Sequence, residues 1–361
     1  MCDILVIGAR GIPNVQGGLE KHAEMLFPQF ADHAYSVTLL GLRRYVKSAS
    51  YKGVRLVGLP SLGILKTDKL VYHVIALVYA ALTRPKLVHL QGLNSALFLA
   101  LYRLFGLKVV FRYGSSDYEY PKWGRVGRVV LRLCERQLPL ANHVIAVSQH
   151  YKDMLVRKYA LEAVSVVPNG VERFPESDDP DGVLAGYGLS QTPFVLAVGR
   201  ITPEKDYHTL AGAARRLGRD DVALVIAGGS GDDAYARTFA DIESDRIRLI
   251  GEVARPALAT LYRRARLYVC SSVHEGQSNA VLEALAFAKP IVASDIPANR
   301  ELALNEACYF PPGDAEALMR RVDRALKEPE RFISRQAHLV GWDDVYRMTA
   351  SVYRSVVPSL T

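Results

Sequence analysis

Short apolar runs recur along this chain, each closed by glycine or small polar residues and most followed by a stretch of helical period. In the first half the runs are CDILVIGA, YSVTLLGL, VRLVGL, KLVHLQG, KVVFRYG and HVIAVS, with helices expected through EKHAEMLFPQF, near 68 to 82 and near 95 to 104. In the second half they are PFVLAVGR, ALVIAGG, IRLIGEV, LYVCSS and PIVAS, with helices after the first four. Apolar runs of this length without polar alternation are strands buried on both faces, and such strands need helices over each side of a parallel sheet. The pattern predicts an α/β chain of two doubly wound, Rossmann-like domains. At 361 residues the chain is too long for one ordinary core and long enough for two.

Between the halves runs VSVVPNGVERFPESDDPDGVLAGYGLSQTP, rich in Pro, Gly and Asp, which reads as the linker and divides the chain near residue 170. Ligands of doubly wound sheets sit outside the carboxyl ends of the strands, so the active site is expected there, in a cleft between the domains.

Charge is divided unevenly. Residues 1–170 hold 22 Lys+Arg against 10 Asp+Glu, giving +12, and the remainder hold 23 against 27, giving −4. A basic first half beside a mildly acidic second half implies different partners for each. The four cysteines, Cys2, Cys134, Cys270 and Cys308, show neither Cys-x-x-Cys spacing nor a His pair at ligand distance, so no disulfide framework and no metal site are expected. Met1 leads directly into an apolar strand without the basic start of a signal peptide, and a cytoplasmic protein is expected. The longest apolar run, Leu70 to Leu82, is shorter than the ~20 residues of a spanning helix and contains His73, so it reads as a core helix.

Several loops at strand ends carry candidate chemistry. The first connection, GARGIPNVQGGLEKHAE, offers only a G-x-x-G from Gly8 and Gly11 where a dinucleotide fold wants G-x-G-x-x-G, which argues against a dehydrogenase. Gly17 and Gly18 at the following helix start would let a phosphate approach bare N–H groups, or would simply relax a long loop. Arg200 and Lys205 flank the loop after Gly199 and suit a diphosphate, one as a planar fork and the other as a point charge. Gly228, Gly229 and Gly231 follow a buried strand and either admit a flat base or ribose or form a plain turn. In HEGQSNAVLEALA a helix is expected to begin near Ser278 or Asn279, with its positive end open to an anion and Gly276 and Gln277 in the approach. Glu275 just upstream would repel a phosphate unless it receives neutral sugar hydroxyls, and Glu283 can receive those of a ribose. Carboxylates flanking an anion site describe a nucleotide-diphosphate sugar.

Together, the E-x7-E element from Glu275 to Glu283, GRITPEK with Arg200 and Lys205, VPNGVE at Val167 to Glu172, and the paired glycines before the first helix resemble glycosyltransferase family 4, retaining enzymes of GT-B fold. The resemblance implies an acceptor-binding domain over 1–170, a donor-binding domain over 171–340, and a terminal helix over 341–361 that crosses back to the first. It also implies that Glu275 contacts the donor sugar, Glu283 the ribose, Arg200 and Lys205 the diphosphate, and that Gly17 and Gly18 line the donor. No metal and no cofactor are expected, the donor being of UDP or GDP type, as in rhamnosyl-, mannosyl- or glucosyl-type transfer during surface polysaccharide or lipid-linked glycan assembly. Where many members carry His-Gly or Asp-Gly, this chain has Gly114, with Asp117 and Glu119 nearby on the acceptor side.

In KWGRVGRVVLRLCERQL, Arg125, Arg128, Arg132 and Arg136 recur at helical spacing near Trp123. The stripe reads either as a solvated flank or as contact with an anionic membrane, placing the protein peripherally on the inner face of the cell membrane; no nucleic-acid reader accompanies it. Two alternatives to transfer stay open, a nucleotide-sugar epimerase and a non-catalytic sugar-nucleotide sensor or partner subunit.

Overall fold

The computed structural model describes residues 2–61, 69–120, 123–171, 174–230, 233–239, 242–244, 246–334 and 339–360. The chain forms two compact units, one of Met1–Glu119, Trp123–Gly170 and Val340–Thr361, the other of Tyr120–Lys122 and Val171–Leu339. Glu172 and Gly231 lie outside the described residues.

The first unit is built on β1 (Ile4–Ile7), β2 (Val37–Leu42), β3 (Ser50–Tyr51), β4 (Val54–Leu59), β5 (Leu87–Gln91), β6 (Val109–Tyr113), β7 (His143–Ala146) and β8 (Val164–Val166). They lie side by side as β3-β4-β2-β1-β5-β6-β7-β8, with every pairing parallel except the short β3–β4 edge. The chain winds outward from β1 to β4 in one direction and from β5 to β8 in the other, so a switch point falls between β1 and β5. Its helices are α1 (Gly18–Asp32), α2 (Lys69–Thr83), α3 (Leu99–Leu104), α4 (Arg125–Arg136) and α5 (Gln149–Tyr159). Ser148 starts α5 by accepting the Tyr151 N–H at 3.3 Å, and Ala160 ends it in the left-handed conformation.

The second unit carries β9 (Phe194–Val198), β10 (Ala223–Ala227), β11 (Ile247–Leu249), β12 (Leu267–Cys270), β13 (Ile291–Ser294) and β14 (Tyr309–Phe310) in the order β11-β10-β9-β12-β13-β14, all parallel. Around it lie α6 (Pro180–Gly186), α7 (Tyr207–Leu217), α8 (Asp233–Arg237), α9 (Arg255–Arg264), α10 (Asn279–Ala286), α11 (Pro297–Arg300) and α12 (Ala315–Lys327). Its switch point falls between β9 and β12. The last helix, α13 (Trp342–Val356), belongs to the first unit.

Each sheet face of the first unit has its own core. One packs Tyr72, Ala76 and Ala80 of α2, Leu99 and Tyr102 of α3 and Leu131 and Cys134 of α4 onto the sheet. The other packs Ala23, Phe27 and Phe30 of α1 together with Trp342, Val345 and Tyr353 of α13. The Phe30 ring stacks on Tyr353 with centroids 5.0 Å apart, and the Tyr353 hydroxyl meets His89 Nδ1 at 2.7 Å beneath it. Burying side chains of this size contributes about 1.5–3 kcal/mol each, which holds α13 on this unit.

Two doubly wound sheets are what the run pattern predicts. The differences are local. The segment VSVV, read as linker, supplies edge strand β8, because its β-branched residues pair with β7. The rest of the linker contains α6, whose start is set by Asp179 accepting the Gly182 N–H at 2.8 Å. The helix expected near 95 to 104 is a 3₁₀ turn, Leu93–Phe98, followed by α3. The two-residue strands β3 and β14 are too short to leave a periodic signal.

At Gly170 an added Cβ would stand 2.5 Å from Cδ2 of Trp342, a buried, rigid ring. Gly170→Ala should therefore destabilise the protein by about 1–3 kcal/mol, the usual range for overpacking. Urea denaturation checks this, and an unchanged midpoint would contradict the packing described.

Candidate functional site

At the switch point of the second unit, the loops leaving β9 and β12 diverge from adjacent strands, and most of the candidate donor-binding residues stand on them. The β9 loop runs against the backbone after β10. A Cβ on Gly228 would lie 1.9 Å from the Gly199 carbonyl oxygen, so only glycine permits this approach, and one on Gly229 would meet Glu252 Cγ at 2.8 Å. Gly199 has φ +151 and a Cβ there would meet Lys205 Cε at 3.0 Å. These glycines thus serve the backbone contact that brings Lys205 back over its own strand.

Lys205 Nζ lies 2.5 Å from Glu275 Oε1, an ion pair joining the two loops with side chains 19 % and 12 % exposed. Further bonds zip them together. Ser271 Oγ donates to the Lys205 carbonyl at 2.7 Å, the Val273 N–H donates to the Glu204 carbonyl at 2.9 Å, and Ser272 Oγ donates to Glu275 Oε1 at 2.7 Å. Ser294 Oγ in turn donates to the Ser272 carbonyl at 2.5 Å and receives Asn299 Nδ2 at 3.2 Å, which anchors the Glu275 loop to β13. Burial draws the Lys205 pKa down, but the Glu275 carboxylate leads the opposing influences and the net shift is upward; Arg200 is near enough for its charge to push the other way. Three of the predicted residues, Arg200, Lys205 and Glu275, are therefore in one electrostatic neighbourhood.

Downstream, Gly276 and Ser278 are buried, Gln277 is half-buried, and α10 begins at Asn279 with Ser278 in the capping position. The Ser278 hydroxyl makes no capping bond, leaving first-turn amides without an intrahelical acceptor and a positive dipole end beside the pair. Asn279 Oδ1 is buried with no hydrogen-bond partner. Glu283 has a different attachment: the Tyr262 hydroxyl of α9 stands 3.0 Å from its Oε2 and 3.1 Å from the Ala280 carbonyl. It is held against α9 rather than left on a solvated helix face.

In the first unit, Gly17 caps α1 with φ +146, and a Cβ there would fall 2.0 Å from Glu20 Oε2. Glu20 is buried across this helix start and paired with Arg10 Nε at 2.9 Å, so the end reached through Gly17 and Gly18 already holds a carboxylate. At Gly114 an added Cβ would make an ordinary van der Waals contact, with Arg112 Nη1 at 3.7 Å. Asp117 accepts from Ser115 Oγ at 2.5 Å, while Glu119 is exposed. Trp123 lies over Gly127, and Arg125, Arg128, Arg132 and Arg136 all face solvent.

Sequence reasoning missed the serines that position Glu275, and it missed Glu204, a 4 % exposed acid within GRITPEK whose Oε2 has no hydrogen-bond partner. It also missed a buried polar group in the first unit: His22, His89, Gln91 and Arg112, with Arg112 Nη2 donating to Asn169 Oδ1 at 2.6 Å. Burial and then the Arg112 charge draw His89 down to about 3, so its ring is neutral at ordinary pH. Burial also draws Arg112 down to about 10. The available signal was polar residues at alternate positions in the otherwise apolar LVHLQ and VVFRY, all pointing to one sheet face.

Residues 16–173 match the family model described as Glycosyltransferase Family 4, and residues 192–328 match that of Glycosyl transferases group 1. The chain is thus similar to glycosyltransferase family 4 in its first part and to the group 1 glycosyl transferases in its second. It is 27 % identical to an O-antigen chain mannosyltransferase of Salmonella typhimurium over 55 % of each chain. It is 32 % identical to a phosphatidyl-myo-inositol mannosyltransferase of Mycobacterium leprae over 57 % of this chain and 58 % of that one. The matches thus span little more than half the length of these curated relatives. Sucrose-phosphate synthase from Thermosynechococcus elongatus, 20 % identical, superposes with a TM-score of 0.84 over 99 % of this chain and 100 % of that one, which establishes the GT-B fold. Among the described residues, no helix is long and apolar enough to cross a membrane, and no three His, Cys, Asp or Glu are grouped to hold a metal ion.

Removing one partner of the Lys205–Glu275 pair leaves a largely buried charge. Lys205→Met should lower the unfolding free energy by about 3 kcal/mol, toward the low end of the range because both groups still reach solvent. Lys205→Met with Glu275→Gln should recover part of that loss. Because the folded pKa of Lys205 is raised above the ordinary ~10.4, the stability it contributes is complete below that value and disappears as pH rises through the folded one. Denaturation at strongly alkaline pH should bring wild type and Lys205→Met together; an unchanged gap would count against the pair.

Proposed function

We propose that the chain transfers a sugar, with retention of anomeric configuration and without a metal, from a nucleotide-diphosphate donor of UDP or GDP type to an acceptor hydroxyl of a glycan or lipid-linked glycan. The observation that carries this reading is the Lys205–Glu275 pair, held between the loops of β9 and β12 beside Arg200 and the open start of α10. A diphosphate needs cations and free N–H groups, and a sugar needs a carboxylate for its hydroxyls; this switch point supplies both within a few residues.

As the bond from the anomeric carbon to the diphosphate oxygen breaks, its electron pair remains on the diphosphate. Arg200, Lys205 and the first-turn amides of α10 stabilise that charge. A unit charge pair at ~4 Å contributes about 4 kcal/mol at an effective dielectric of 20, before desolvation is subtracted. The acceptor oxygen forms its new bond on the face the diphosphate leaves, and its proton passes to the departing phosphate oxygen, so no side chain is required at Gly114. Glu275, set by Ser272 and Lys205, orients the sugar hydroxyls and tempers the positive charge growing on the ring. Resident cations do the work a metal would otherwise do. Glu283, fixed by Tyr262, receives the ribose hydroxyls.

The lack of a side chain at Gly114 favours one other reading, a non-catalytic protein that binds the donor. Purified protein assayed with UDP-, GDP- and ADP-sugars and glycan acceptors in EDTA decides between them, with NMR reading the product anomer. Transfer with retention is expected, and Glu275→Gln and Arg200→Ala should each lower kcat/KM by about 10²-fold or more. Wild-type rates in both variants, an inverted anomer or loss of transfer in EDTA would each remove part of the proposal; tight donor binding with no turnover would favour the alternative.

A further inference from the structure

The large apolar side chains that stand exposed are not scattered. Of the fourteen among the described residues, three lie on α2, three on α3 or just after it, four on α4 and one is Leu140, so eleven share one region of the first unit. On α2, Val74, Val78 and Leu82 recur every four residues and form an exposed stripe, with Leu82 80 % open. On α3 the exposed groups include Leu104, 77 % open, and they are followed by Phe105. α2 packs on α3, and both α2 and α4 pack on the 3₁₀ turn Leu93–Phe98. All three helices bury their opposite sides in the same core, so their exposed stripes lie on the outer surface of that one core.

α4 adds charge to this face. With 3.6 residues per turn, its inward side is Leu131, Cys134 and Glu135. The exposed side divides into two adjoining strips: Arg125, Arg128, Arg132 and Arg136 in one, Val126, Val129, Val130 and Leu133 in the other. Guanidinium groups beside unpartnered aliphatic side chains match a surface with anionic headgroups over hydrocarbon, where long Arg stems lie along the apolar side while their heads stay wet. A second copy of this chain fits poorly, since it would set the arginine strip of a +8 protein in the way of another.

The inner side of α4 leads to the acceptor-side loop. Tyr113 OH donates to the buried Glu135 Oε1 at 2.5 Å and meets Ser116 Oγ at 2.9 Å, and Arg132 stands over the Tyr118 ring at 5.4 Å. Glu135 also receives Tyr159 OH at 2.6 Å and pairs with Lys158, which fixes the helix from behind.

We propose that the face formed by α2, α3 and α4 docks on an anionic lipid bilayer, with α4 lying in the interface and holding the loop Ser115–Glu119 at the membrane, so that the acceptor is lipid-linked. This deepens the transfer reading above and rests on it for the acceptor alone; the surface itself does not. The test is sedimentation of the full-length chain with phosphatidylcholine vesicles, with and without phosphatidylglycerol. Wild type should bind the anionic vesicles, and less so as salt is raised. Arg125→Glu/Arg128→Glu and Val129→Glu/Leu133→Glu should each weaken partition by more than about tenfold with an unchanged Tm, because all four side chains are exposed. Transfer to a lipid-linked acceptor in those vesicles should fall in parallel while transfer to a short-chain soluble acceptor stays at the wild-type rate. Binding that both variants retain, or wild-type self-association that they abolish, would overturn the proposal. An equal fall on both acceptors would overturn its acceptor clause. Vesicle binding reads the surface whether or not any transfer is seen, so failure of the enzymatic reading remains distinguishable.

Discussion

The ion pair between Lys205 and Glu275 ties together two loops that the sheet would otherwise send apart. Parallel strands β9 and β12 are neighbours, yet the chain leaves them toward opposite wings of the sheet. Between those loops a carboxylate or an ammonium alone would be costly to bury, and each is tolerated because the other is 2.5 Å away. The loops that carry Arg200 and Glu275 are arranged around this pair. Glycines at 199 and 228 let the β9 loop reach it, serines at 271, 272 and 294 hold the β12 loop against it, and α10 presents its amide end beside it.

In the transfer proposed above, this pairing would let one group both stabilise the fold and serve a ligand. Without a ligand, the ammonium is neutralised by Glu275. An arriving diphosphate would compete for the same ammonium, and the Glu275 oxygens would then be available to hydroxyls next to the phosphates. Ser272 keeps the carboxylate oriented through such an exchange, because its hydroxyl bonds the same oxygen that the lysine does. Preorganisation of this kind lets charge develop on a leaving group without reorganising the surroundings.

The first unit is organised on the same topology with different residues at its switch point. Its buried polar group, Arg112 with Gln91, His89 and His22, occupies the sheet face covered by α1 and α13, whereas the opposite face is closed by α2, α3 and α4 over a largely apolar core in which Glu135 is the buried acid of α4. The unit thus buries different polar groups on the two sides of its sheet and exposes aliphatic side chains and arginines on the side of α4. Charge follows the same division: of the 22 basic residues in the first 170, four stand in a single strip on α4, where no acid faces outward.

Much of the fold was legible in the order of apolar runs, because strands buried on both faces leave an uninterrupted signature that needs no tertiary context. The short strands β3, β8 and β14 were not, since two or three residues make no period. Of the site, Arg200, Lys205 and Glu275 were legible as residue types at strand ends. That Lys205 and Glu275 neutralise one another, that Glu283 is held by Tyr262, and that a carboxylate already occupies the start of α1 were not, since each contact joins groups whose approach depends on how the loops close. The sequence by itself determined the two parallel sheets, the loops that carry chemistry and the arginine spacing on α4, all of which follow from local period and residue type. Only the tertiary structure decided which loops meet, which charges are compensated and which apolar side chains stay in water, because those outcomes are set by distances between residues far apart along the chain.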